Sequence, residues 1–190
     1  MSQVGRRSVW AWLAIMTTVV MAALQLRSQG RLWWCACGRL LVWVGDAWSA
    51  DTSQHLLDPY SLTHVLHGFL FYWLFALVLP RLSTAWQLWL AVLIEVAWEV
   101  IENTDFVIQR YREATAALGY QGDTIVNSLG DILMCGLGFL FAWRLGFRRT
   151  LALFVLMEAV LLFWIKDNLL LNVVMLLYPI EGIKAWQVGH

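Results

Sequence analysis

Apolar residues in this chain fall in long blocks separated by short polar stretches. Residues 9–26 form an apolar run behind Arg6 and Arg7. Two readings of that run stand: a secretory signal peptide or a retained first helix. Its length and the lack of a small-x-small site after it favour the helix. Residues 27–60 are mixed, with Gly30, Gly38, Gly45, Asp46, Asp51, Asp58 and Pro59. They cannot cross as one lipid-facing helix, because lipid offers no partner to irregular backbone. Further apolar blocks follow at 61–79, closed by Pro80 and Arg81, then at 84–106, 123–145 and 151–165. The block 169–178 is too short to cross a hydrocarbon core of about 30 Å. It either prolongs a tilted fifth helix or lies at the surface as a re-entrant segment. The pattern predicts an all-α polytopic membrane bundle of about five transmembrane helices. It forms a single domain over 1–190, with an outer loop or re-entrant segment after the first helix.

Composition agrees with that reading. The chain is 61% hydrophobic and only 14% charged, against about 25% charged in soluble domains. Mean hydropathy is +0.65. Thirteen Trp suit the membrane interface, where an indole is apolar on its faces and wet at its N–H. A net charge of zero gives no bulk attraction to nucleic acid, so the expected partners are membrane lipids. Arg6, Arg7, Arg81, Arg144, Arg148 and Arg149 all fall on one side of a five-span topology, in short segments without acids. By the positive-inside bias this predicts an N-terminus on the inner side of the membrane and a C-terminus on the outer side.

The polar residues inside the apolar blocks change the picture most. Glu95, Glu99 and Glu102 are spaced i, i+4, i+7 and form one stripe, bordered by Asn103. Asp123, Asn127 and Asp131 form another, beside Ser128. His64 and His67 share a face, and Glu158 sits within the fifth block. A charged side chain near a span centre costs roughly 2.5–3.5 kcal/mol on insertion scales. In the predicted topology the three stripes meet at the outer half of the bilayer, which predicts one polar cavity opening outward. The candidate catalytic residues are therefore His64, His67, Glu99, Glu102, Asp123, Asn127 and Asp131. His64, His67, Glu102 and Asp123 are also candidate ligands for a divalent metal ion, since imidazole and carboxylate donors from separate helices can converge on one. Arg110, Arg112 and Tyr120 are candidate substrate-binding groups, because an arginine fork suits an anionic headgroup.

Structural readings compete with these. Asp123 stands where an N-cap is expected. The histidines can serve as interfacial hydrogen-bonding groups, and the Glu stripe as interhelical glue. Gly130, Gly136 and Gly138 suit close helix packing. The spacing of Cys35 and Cys37 is too close for an easy disulfide. Structural, redox and metal-binding roles all remain for that pair.

The blocks CACG, SQHLLDPYSLTHVLHGFLFY, EVAWEVIEN, YREATAALGYQGDTIVNSLGD and KDNLLLNVVMLLYPIEGIKAWQ resemble the bacterial inner-membrane family designated domain of unknown function 2585. The resemblance spans nearly the whole chain. It implies topology and location but no reaction. A wider resemblance is to VanZ-like membrane proteins, whose pattern would place Asp58, His64 or His67, Glu102, Arg112, Asp123 and Asn127 at its polar positions. That resemblance implies an envelope role.

Three functions fit the sequence. The first is a hydrolase or transferase acting on an envelope lipid or a lipid-linked headgroup, with a histidine as base or nucleophile. The second is a non-enzymatic accessory, assembly or lipid-binding protein. The third is proton or ion translocation through Glu95, Asp131 and Glu158.

Overall fold

The computed structural model describes residues 3–115 and 119–189, and among these the named elements are all helices, with no strand. Eight helices follow in order: α1 (Gln3–Ser28), α2 (Ser61–Val78), α3 (Thr84–Glu102), α4 (Asp105–Ala114), α5 (Ile125–Leu145), α6 (Phe147–Ile165), α7 (Leu169–Leu177) and α8 (Glu181–Val188). Four of them are long and apolar enough to cross a membrane: α1 over Ser8–Ser28, α2, α3 and α5. Helices α6 and α7 pass the same test together, bent by 69° at their junction, and would make a fifth span if counted as one.

The surface is the inverse of a soluble protein's. Phe163 is 86% exposed, and Leu77 and Phe106 about as much, while Glu95 and Glu99 are fully buried. An apolar exterior around a polar interior is what a hydrocarbon solvent selects. The chain is a multi-pass membrane bundle by that measure.

Helices α2 and α5 form the tightest pair, with α3 packed against both α5 and α1. Their closeness comes from glycine. A Cβ on Gly68 would lie 2.2 Å from the Cys135 carbonyl oxygen, and one on Gly138 would lie 2.2 Å from the Val65 carbonyl oxygen. Backbone rests on backbone there, as small residues permit in membrane helices. Gly130 meets the loop before α2 in the same way, through the Leu56 carbonyl, whereas Gly136 faces open space. One apolar core joins Ile15, Ala22, Phe75, Val92, Ile132 and Phe139 across α1, α2, α3 and α5. A second joins Val65, Leu66, Phe69, Ala142 and Leu169.

Several element limits differ from the sequence reading, each for a local reason. The block 84–106 is cut in two: α3 stops at Glu102, and the Thr104 side chain accepts the Val107 N–H to start α4. Apolar character continues across this break, so hydropathy alone could not see it. At α5 the cap is Thr124, whose hydroxyl accepts the Asn127 N–H, so the capping role expected of Asp123 passes to its neighbour. The block 151–165 gains a turn, since α6 begins at Phe147 directly after Gly146, whose φ of 79° suits glycine.

The α6–α7 bend explains Glu158. Its carboxylate accepts the N–H groups of Leu169 at 2.9 Å and Leu170 at 3.1 Å, while the Asn168 side chain accepts that of Leu171 at 2.8 Å. The first turn of α7 thus has its free donors satisfied in an apolar setting. Glu158 is tied to that turn and stands apart from the acids of α3 and α5.

The segment 29–60 is an irregular loop laid over one end of the bundle. It is stitched to the start of α5 by backbone bonds from Thr124, Ile125 and Val126 to Ser53, Leu32 and Trp33. Cys35 and Cys37, whose spacing argued against it, are joined in a disulfide.

Candidate functional site

The start of α2, the end of α3 and the start of α5 meet beneath that loop, and their polar stripes converge. Glu95 of α3 is completely buried and receives both histidines of α2. His64 Nδ1 is hydrogen-bonded to Glu95 Oε1. His67 Nδ1 lies 3.1 Å from each Glu95 oxygen. A carboxylate accepts only, so each ring donates through Nδ1–H in this arrangement. The lone pair of His64 is then on Nε2, and Nε2 lies 3.9 Å from Asp131 Oδ2. Glu95 fixes the tautomer and orientation of His64, as a second-layer carboxylate does behind a metal-bound or catalytic imidazole.

Glu99 and Asp131 complete this inner group. Glu99 Oε1 lies 3.5 Å from His64 Nδ1, but that nitrogen already serves Glu95. Neither Glu99 oxygen has a hydrogen-bond partner, nor does Asp131 Oδ1, nor the amide nitrogen of Asn127. All belong to residues less than a tenth exposed. Buried polar atoms are almost always satisfied, so an unpartnered set of carboxylate oxygens around an imidazole points to a missing counter-charge or proton.

A second layer lies toward the loop. Asp123 and Asn103 clamp α3 to α5: the Asn103 Oδ1 accepts the Asp123 backbone N–H at 2.7 Å, and its Nδ2 donates to Asp123 Oδ2 at 2.9 Å. Tyr120 donates its hydroxyl to Asp123 Oδ1 at 2.9 Å. Burial pushes the Asp123 carboxyl above its ordinary range. Asp58, at the foot of α2, accepts the Ser53 and Tyr60 N–H groups, both at 2.8 Å. Its carboxyl is also raised by burial, with the Asp123 charge adding to the shift.

Donor atoms of three overlapping groups come within 4.8 Å of one another, close enough to share an ion: His64, His67 and Glu95; His64, Glu99 and Asp131; Glu99, Glu102 and Asp123. The middle group is where the unpartnered oxygens lie. It offers one imidazole and two carboxylates, a donor set suited to a hard or borderline divalent cation.

The sequence candidates therefore divide. His64, His67, Glu99, Asp131 and Asn127 lie within or beside the inner group. Glu102, Asp123 and Tyr120 sit in the layer above it. Arg112 donates to the Tyr120 carbonyl and so holds the approach loop. Arg110 turns away, donating to the Leu176 and Leu177 carbonyls at the end of α7. The recess is closed, not open: Glu95, Glu99, Asp131, His64 and Asp123 are all buried. His67 and Glu102 are the partly exposed members. Sequence reasoning left Glu95 out of the site set and did not give Asn103 its clamp. The stripe spacing contained both, because Glu95 sits one turn before Glu99 and Asn103 one turn after it.

Fold and site together define a class: a multi-pass helical membrane protein with a buried histidine–carboxylate centre. The chain belongs to the family described as Protein of unknown function (DUF2585), whose model matches residues 26–189. It is 45% identical over 184 residues to a UPF0314 protein of Paracoccus denitrificans, covering 97% of this chain and 95% of the relative. A UPF0314 protein of Sinorhizobium fredii is 46% identical over 187 residues, covering 97% and 94%. One of Sphingopyxis alaskensis is 41% identical over 186 residues, covering 98% and 99%. No solved structure matches the chain.

Proposed function

We propose that this protein is a membrane-embedded hydrolase or transferase acting on the anionic headgroup of an envelope lipid or lipid-linked carrier. The observation that carries this reading is the Glu95–His64 pair set beside Glu99, neither of whose oxygens has a partner, and Asp131, whose Oδ1 has none. A carboxylate behind an imidazole makes a stronger base or a firmer ligand. His64, Glu99 and Asp131 would hold a divalent cation, which would polarise a phosphoryl oxygen and offset the headgroup charge. Arg112 and Tyr120 would line the approach from the loop side. In the topology we favour, the N-terminus is cytoplasmic and this end of the bundle faces the periplasm of the inner membrane. A resemblance to the VanZ-like order, through Asp58, His64 or His67, Glu102, Arg112, Asp123 and Asn127, would accord with the envelope setting.

A second reading is a non-enzymatic accessory or lipid-binding protein, with the polar group bracing three helices. Closure of the centre favours it. So does the surface hollow of about 600 Å³ between α1 and α3, lined by Trp10, Leu13, Trp86 and Trp89, which is apolar and apart from the acids.

Lipid profiling separates the two. A deletion strain restored with the wild-type chain is compared with one restored with His64→Ala, at equal protein level. An enzyme predicts accumulation of one lipid species in both the deletion and the His64→Ala strain. An unchanged lipid inventory under several growth conditions would count against catalysis. Elemental analysis of protein purified in detergent tests the cation, with loss expected in Glu99→Gln.

A further inference from the structure

The loop over the bundle holds a second group of reactive side chains, apart from the membrane centre. Cys35, Cys37, Asp51 and His55 bring their donor atoms within 4.8 Å of one another. The two sulfurs differ. Cys35 is 6% exposed, whereas Cys37 is open to solvent. Cys35 Sγ accepts the Cys37 backbone N–H at 3.1 Å. His55 is 1% exposed, and its Nε2 lies 3.9 Å from Cys37 Sγ and 3.6 Å from Asp51 Oδ1. Arg39 is paired with Asp51 at 3.0 Å.

The tautomer of His55 decides what this group does. The Leu41 backbone N–H points at His55 Nδ1, 3.1 Å away. A backbone amide only donates, so Nδ1 is the acceptor and Nε2 carries the proton. The ring thus turns an N–H toward Cys37. That suits a thiolate and opposes ligation of a metal through Nε2. A purely structural disulfide is also a poor account: a link between residues two apart removes little freedom from the unfolded chain, because stabilisation grows with the loop closed.

We propose that Cys35–Cys37 is an exchange-active disulfide that accepts two electrons from a dithiol. A donor thiolate attacks the exposed Cys37 Sγ. The new sulfur–sulfur bond forms as the Cys35–Cys37 bond breaks, and the electron pair leaves on Cys35 Sγ, steadied by the Cys37 N–H. The donor's second thiolate then attacks its own first sulfur. That closes the donor's internal disulfide and releases Cys37 as a thiolate facing the His55 N–H. The two protons lost by the donor balance those taken up by Cys35 and Cys37. Disulfide and dithiol have exchanged states, and nothing else is consumed. His55 is a positioning residue in this scheme, acting through the Cys37 sulfur.

The test uses the full chain in detergent with dithiothreitol, glutathione disulfide and iodoacetamide as probes. Dithiothreitol should open the Cys35–Cys37 bond with circular dichroism and Trp fluorescence unchanged. Cys35→Ser should form a stable glutathione adduct at Cys37, and Cys37→Ser should form none at the buried Cys35. In the Cys35→Ser background, His55→Gln should shift the pH profile of Cys37 alkylation upward and slow the reaction about ten-fold near neutral pH. Arg39 and Asp51, the other charged groups at this sulfur, remain in place in both proteins. Reduction only on unfolding, equal adducts at both cysteines, or an unmoved alkylation profile would overturn the proposal. So would one zinc bound per chain and lost in either cysteine variant. The wild-type reduction assay stands even where a variant fails to fold.

Discussion

Two carboxylates in apolar helices, Glu158 of α6 and Glu99 of α3, carry the same insertion cost and have opposite surroundings. Glu158 gives one oxygen to the Leu169 N–H and the other to the Leu170 N–H, and the turn into α7 is built on it. Neither Glu99 oxygen has a partner, although the residue is completely buried and faces His64 and Asp131. An intramembrane acid is by default a functional candidate, yet only one of these two keeps that standing once hydrogen bonds are counted. What separates a structural acid from a reactive one is the number of lone pairs the fold leaves over. Translocation through Glu95, Asp131 and Glu158 loses its third member on the same count.

The contrast can be broken most sharply in function. In the enzyme reading, His64→Ala or Glu99→Gln lowers turnover about 10²- to 10⁴-fold with normal protein level, and Glu158→Gln leaves it unchanged. Lipid conversion in restored strains measures this. Equal losses in all three would erase the distinction. The next largest effect is on stability. Glu95→Gln leaves buried His64 and half-buried His67 without their carboxylate and should cost about 3–5 kcal/mol, as breaking a buried pair does. The drop appears as a lower melting temperature in detergent. Glu158→Ala removes the acceptors of the Leu169 and Leu170 N–H groups beside the Asn168 cap of α7 and should cost about 0.5–2 kcal/mol, with faster amide exchange confined to residues 169–177. A global loss of protection would mean that the bend supports the whole bundle.

The smallest effect concerns pH. Burial raises the Asp58 carboxyl above its ordinary value of 3.8. The native chain keeps that proton where the unfolded chain has released it. This group therefore favours the fold below 3.8, and the benefit is lost as pH rises through the higher native value. Asp58→Asn should flatten that part of the melting-temperature curve. A steeper acid-side dependence in the variant would reverse the assigned sign.

Much of the bundle was legible because lipid imposes length and apolarity on each crossing element. The blocks at 61–79, 123–145 and 151–165 lie on α2, α5 and α6 within a few residues. The break at Asn103 and Thr104 was hidden, since Phe106, Val107 and Ile108 carry apolar character straight past it. In the candidate site, helical spacing put Glu99 and Glu102 on one face of α3 and Asn127 and Asp131 on one face of α5, whereas Asp123 precedes that helix and is held by Asn103. The direction of Arg110 was not legible, because its partners are backbone carbonyls of α7, whose position depends on the 69° bend. The placing of His55 and Asp51 beside the Cys35–Cys37 pair, in turn, depends on how the loop from 29 to 60 folds back.

The contact of Gly68 with Cys135 and of Gly138 with Val65 sets an order of events during biosynthesis. The ribosome must make α3, α4 and most of α5 before α2 can seat its bare backbone, whereas its two histidines meet Glu95 once α3 has followed. Until α5 is in place the glycine face of α2 lies open to lipid or to the insertion machinery. Nascent chains halted before residue 138 should therefore be the ones that quality-control proteases remove.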